Sequence, residues 1–110
     1  LGQVTGRKLF LLCPPGDAPF MRSIPGEKET AQSFVDPFDL SSEARGTNAA
    51  FWERASPVVL VLRPGEVVLV PRGWWHYAAA LDPSVTAMKN FYDAETNLEA
   101  LARVAARLRR

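Results

Sequence analysis

Apolar residues crowd into short runs along the second half of this chain, and prolines and glycines separate them. The stretch "PVVLVLRPGEVVLVPRGWWHYAAALDPSVTAMKNFY" breaks at Pro64-Gly65, at Pro71 with Gly73, and at Asp82-Pro83. Valine and aromatic enrichment between such breaks predicts strands over residues 58–62, 67–70, 74–81 and 84–92. The short connections predict antiparallel neighbours. Near the start, "GRKLFLLCPPGD" predicts a strand over about residues 7–13, stopped by Pro14, Pro15 and Gly16. Its unbroken apolar run points to cover on both faces.

Between these regions the pattern weakens. Residues 18–42 carry Pro19, Pro25 and Pro37 and read as a long irregular connection, of a kind that is often functional. A short helix is predicted around residues 48–54. At the other end, "ETNLEALARVAARLRR" predicts a helix over about residues 97–109. Thr96 and Glu99 form a capping box. Leu98, Leu101, Val104, Ala105 and Leu108 share one stripe. Arg107, Arg109 and Arg110 suit the negative end of the helix dipole. The expected fold class is mainly β, with a C-terminal α-helix.

Composition narrows the function classes. The chain has 110 residues, enough for one modest core. Hydrophobic residues make up 47% and charged residues 23%, as in ordinary globular proteins. A net charge of +1 gives no strong field toward nucleic acid or membrane. The single cysteine, Cys13, has no intrachain disulfide partner and reads as a buried small hydrophobe. With no visible signal peptide, the expected location is intracellular, in cytoplasm or nucleus.

His76 is the only histidine, and it directly follows Trp74 and Trp75. Strand side chains alternate faces, so an inward His76 shares its face with Trp74, Ala78 and Ala80. Two alanines beside it leave room, as a pocket wall would. Thr86, Met88, Asn90 and Tyr92 share a face on the following strand. Were the two strands a hairpin, Asn90 could enter the same cavity, from a neighbouring strand or from one strand removed. Lys8 shares a face with Phe10 and Leu12, and an inward lysine calls for an anionic partner. Each residue alone has a commoner structural use: His76 as a hydrogen-bonded core residue, Lys8 at a strand edge, Asn90 in a turn or cap.

Taken together, "GRKLFLLCPP", "LRPGEVVLVPRGWWHYAAALDP" and "SVTAMKNFYD", in that order, resemble the JmjC domain of the cupin superfamily. The recurrence of "PR…WWHY…DP" looks like the heat-shock-protein-associated branch. The resemblance runs from about Gly6 to about Leu98. It implies part of a double-stranded β-helix, or jelly roll, and an oxygenase using Fe(II) and 2-oxoglutarate. It makes His76 the second histidine of a two-histidine, one-carboxylate iron triad. It makes Lys8 the residue that binds the far carboxylate of 2-oxoglutarate, and Asn90 a polar neighbour of that co-substrate. The tryptophan pair would shape the pocket, and Pro64-Gly65 would serve the strands alone.

The family's first histidine and its carboxylate come from an His-x-Asp or His-x-Glu motif upstream of the lysine. Only seven residues precede Lys8, and none is histidine. The expectation is therefore the C-terminal portion of one JmjC domain, from a parent that hydroxylates or demethylates a protein or small molecule. The alternative is a truncated, non-catalytic cupin-like binding module. A different cupin function, such as a sugar-isomerase or storage-type β-barrel, is a third reading; the "WWH" block and the place of Lys8 speak against it, since such sites usually offer more histidines. The substrate and oligomeric state are not encoded in these motifs.

Overall fold

A computed structural model describes residues 1–25 and 32–89, together with residues 99, 102–103 and 105–106. Two small antiparallel sheets form its frame. Strand β2 (Lys8–Cys13) is the middle of three, flanked by β3 (Val58–Leu62) and β4 (Trp75–Ala80). Strands β1 (Gly2–Thr5) and β5 (Val85–Ala87) pair as the second sheet. The chain is mainly β, as a part of a jelly roll should be.

The unbroken apolar run of β2 follows from its place. Phe10 and Leu12 point to one face and are buried with Leu62 and Val68, with Leu1, Leu60, Val70 and Trp74 packed around them. Leu11 and Cys13 point to the other face, where Cys13 is buried with Met21, Val35 and Phe51. The first cluster packs the three-stranded sheet against the segment around Val68 and against Leu1, which precedes β1. The second joins the three-stranded sheet to the connecting segments outside it.

Those segments hold more structure than the sequence suggested. A 3-10 helix spans Pro15–Phe20, and its buried Asp17 accepts from the Ser56 backbone N–H at 2.9 Å. Two helices follow, α1 (Ser42–Thr47) and α2 (Ala49–Arg54). The second matches the predicted short helix. The first was not foreseen, although Ser41 caps it by accepting from the Ala44 N–H at 3.2 Å.

Two expectations are corrected. Residues 67–70 do not form a strand: Val67 makes one isolated bridge, to Gly2. The inward-outward alternation was right, since Val68 is buried and Val67 and Leu69 are 75% exposed. What fails is the ladder. Its partner is the edge of β1, reached through the Val68 N–H to the Leu1 carbonyl at 2.8 Å and the Gln3 N–H to the Glu66 carbonyl at 3.0 Å. Pro71 then arrives without an N–H to continue it. Second, β4 and β5 are not a hairpin. β4 joins β2 and β5 joins β1, so the Asp82-Pro83 break carries the chain from one sheet to the other. The Pro64-Gly65 turn makes a similar transfer, from β3 to the edge of β1.

The predicted strand over 84–92 is observed only over Val85–Ala87, and from residue 90 it lies outside the described residues. Most of the predicted helix over 97–109, with Thr96, also lies outside them. Glu99, Ala102, Arg103, Ala105 and Ala106 are helical, and Arg103 reaches Glu99 at 3.7 Å. No helix among the described residues is long and apolar enough to cross a membrane.

A clip at the start of β2 fixes where Lys8 begins. The Arg7 guanidinium meets the Asp82 carboxylate in a fork, at 2.8 and 3.0 Å, and the Arg7 backbone N–H donates to the same carboxylate at 3.0 Å. Gly6 stands beside it at φ 68°. A Cβ there would run into the Pro83 carbonyl and come within 2.8 Å of the Ser84 Cβ. Gly6→Ala therefore combines a left-handed backbone with a clash against main chain, and should cost at least about 1–2 kcal/mol. Chemical denaturation should show the midpoint falling with an unchanged slope; an unmoved midpoint would mean that the turn relaxes freely.

The clip also responds to pH. Hydrogen bonding to Arg7 holds the Asp82 carboxyl below its ordinary value. A depressed folded-state value means the contribution is present above the unfolded value, about 3.9, and is lost as pH falls through the lowered one. A carboxyl NMR titration should place the Asp82 midpoint below that of a free aspartate. In Arg7→Ala it should return toward the ordinary value.

Candidate functional site

Register places Lys8 and His76 without ambiguity. Leu12 pairs with His76, Phe10 with Ala78, and Lys8 with Ala80. Directly paired residues in an antiparallel ladder project to the same face. His76, Ala78 and Ala80 therefore lie on the face of Phe10 and Leu12, the face from which Lys8 reaches the second sheet. Trp74 packs on that side, while Trp75 packs on the other with Cys13 and Phe51. The adjacent tryptophans thus do different work, as alternation requires.

The two ends of this face differ. At one end His76 is exposed, as are Ala78 and Ala80 further along β4, and the imidazole makes no hydrogen bond among the described residues. At the other end Lys8 is half-buried. Its ammonium crosses to the second sheet and donates to the Thr86 Oγ1 at 2.9 Å. The Thr86 hydroxyl donates in turn to the Gln3 Oε1 at 2.8 Å. Gln3 is 2% exposed, and its Nε2 donates to the carbonyls of Thr5 at 2.9 Å and Gly6 at 3.0 Å.

The anionic partner expected for Lys8 is therefore not found among the described residues. A neutral hydroxyl stands in its place. Lys8 and Leu12 are four residues apart on one strand, so Lys8 and the Leu12–His76 pair are separated by roughly 13 Å along it. The face thus carries a cation at one end, an imidazole at the other, and small side chains on β4 between them. Asn90, the third candidate, lies outside the described residues.

Gln3 and Thr86 are the polar residues that sequence reasoning did not select. Thr86 was placed on a shared strand face with Asn90, but nothing linked it to Lys8. Gln3 carried no signal, because β1 itself was not predicted. Cys13, by contrast, behaves as read: it is fully buried, and burial first, then Asp17, pushes its thiol up to about 11.

The family model for the cupin-like domain matches residues 1–97. The chain belongs to the cupin-like domain family. Its relatives make it a cupin-like domain of the JmjC type. It is similar to HSPB1-associated protein 1 of Rattus norvegicus, with 36% identity over 107 residues that cover 93% of this chain and 20% of that protein. It is also similar to 2-oxoglutarate and iron-dependent oxygenase JMJD4 of Danio rerio, with 31% identity over 88 residues, 80% of this chain and 20% of that protein. A third relative, lysine-specific demethylase JMJ21 of Arabidopsis thaliana, is 29% identical over 90 residues, 82% of this chain and 10% of that protein. The chain spans about a fifth or less of the length of these curated relatives.

A metal needs a set of ligands. Among the described residues no three histidine, cysteine, aspartate or glutamate side chains gather closely enough to hold an ion. His76 with its described neighbours does not make an iron site unaided. Lys8 does fit one end of a dicarboxylate. It is a half-buried cation, held by a neutral group, on the inner face of the sheet.

Proposed function

We propose that this chain forms the C-terminal part of a JmjC-type Fe(II)- and 2-oxoglutarate-dependent oxygenase domain, in a protein that hydroxylates or demethylates a protein side chain. The observation that carries the reading is the common face of Lys8 and His76, with the ammonium paired to no carboxylate among the described residues. In this reading Lys8 binds the far carboxylate of 2-oxoglutarate, a compact charge suited to that task. Asn90 lies beside the co-substrate. His76 supplies one imidazole to a ligand set completed by residues from elsewhere in the longer protein. Bound iron would supply the redox chemistry. The chain's own contribution is to orient the co-substrate and keep its interior wall of Phe10, Leu12 and Trp74 dry.

The relatives named as a 2-oxoglutarate and iron-dependent oxygenase and as a lysine-specific demethylase support this reading. Calorimetry of 2-oxoglutarate binding to the full-length protein tests it. A charge-assisted hydrogen bond contributes about 1.5–3 kcal/mol, so Lys8→Met should weaken binding by at least about ten-fold. Unchanged affinity would remove Lys8 from the co-substrate site.

A second reading has one specific observation in its favour: His76 lacks fellow ligands among the described residues. In that reading the chain is a non-catalytic cupin-like binding module. It expects no measurable binding of 2-oxoglutarate in the presence of Fe(II), in the parent or in Lys8→Met.

A further inference from the structure

We infer that Gln3 and Thr86 are positioning residues that aim the Lys8 ammonium and keep its charge available for an anion. The inference rests on the proposed binding of 2-oxoglutarate by Lys8 and adds to it how the lysine is held. Direction along the hydrogen-bond chain carries the argument. Both partners of the Gln3 Nε2 are backbone carbonyls, those of Thr5 and Gly6, which only accept. The amide NH2 must therefore face them, and the Gln3 Oε1 must face Thr86. An amide oxygen also only accepts, so the Thr86 hydroxyl proton is committed to Gln3. That leaves the Thr86 Oγ1 as an acceptor toward Lys8.

An acceptor so polarised suits a donor, and the ammonium has three N–H groups. One is used by Thr86. The other two remain for an anion, because no carboxylate pairs with Lys8 among the described residues. A carboxylate in the place of Thr86 would hold the lysine as firmly but would also neutralise it. The scaffold behind the chain is stiff. Gln3 is buried, Thr86 is its direct partner across the β1–β5 ladder, and Gly6, which supplies the second carbonyl, lies close against the Pro83 main chain.

Thr86→Val removes the hydroxyl and keeps the shape. Calorimetry on the full-length protein with Fe(II), without oxygen, should then show 2-oxoglutarate binding about two- to ten-fold more weakly, a modest loss because Thr86 acts only through the aim of the ammonium. Thr86→Ser should restore it. Binding of 2-oxopentanoate, which has the same keto acid but no far carboxylate, should be unaffected by Thr86→Val. Thr86→Ala serves the same comparison should the valine variant fail to fold. Equal weakening of both ligands would make Thr86 a merely structural residue and overturn the inference. So would unchanged 2-oxoglutarate affinity in Thr86→Val alongside weakened affinity in Lys8→Met. Unchanged affinity in Lys8→Met would instead overturn the reading on which the inference rests.

Discussion

Replacing His76 with alanine should abolish 2-oxoglutarate turnover by the full-length protein while leaving its fold intact. Removing even an outer-sphere partner of a metal ligand typically costs 10–100-fold in affinity or activity, so losing the ligand itself should cost at least about 100-fold. The fold should not notice. His76 is exposed on β4 and makes no hydrogen bond among the described residues, and Ala78 and Ala80 already occupy equivalent places on the same strand. Exposed substitutions of this kind stay within about 0.5 kcal/mol. Succinate release and thermal unfolding, measured together, check both halves. Turnover that survives in a folded variant would make His76 an ordinary strand residue. Lost turnover with a large fall in melting temperature would mean that its role is structural.

Phe10→Ala should produce the opposite pattern, a large loss of stability. Phe10 is 1% exposed, on the central strand of the larger sheet. It packs with Leu12, Leu62 and Val68 at the centre of one of the two buried apolar clusters. Truncating a buried phenylalanine costs about 3–5 kcal/mol through lost transfer energy and the cavity left behind. That is a large share of the usual 5–15 kcal/mol of a whole domain. Lys8 lies two residues away on the same face, so the variant should also lose 2-oxoglutarate binding as that sheet loosens. Denaturant unfolding and calorimetry on one sample check the pair of effects. A loss below about 1 kcal/mol would mean that this cluster can repack without Phe10.

Much of this was readable from residue patterns, and the failures share a cause. Alternation placed Lys8, Phe10 and Leu12 on one face and His76, Ala78 and Ala80 on one face. Alternation could not say that those faces coincide, because that depends on which strands pair. The pairing runs from β2 to β4, across more than sixty residues, and no local signal encodes it. The same limit produced the expected hairpin of β4 with β5. A short Asp82-Pro83 connection looks like a hairpin turn, yet in a two-sheet fold it is a corner. Residues 67–70 had the composition and alternation of a strand, but their partner edge belongs to β1, whose four residues carry too little pattern to stand out. Gln3 went unnoticed for that reason. The motifs "GRK" and "LDP", read separately, turn out to be one feature: Arg7 pairs with Asp82, and Gly6 packs against Pro83.

The central claim is that His76 belongs to an iron site that also receives 2-oxoglutarate. Its most direct test is a titration of the full-length protein with Fe(II) and 2-oxoglutarate without oxygen, followed by visible absorption. The expected result is a metal-to-ligand charge-transfer band that saturates with the co-substrate in the parent protein and is missing in His76→Ala. A band of equal strength in both proteins, or in neither, would contradict it.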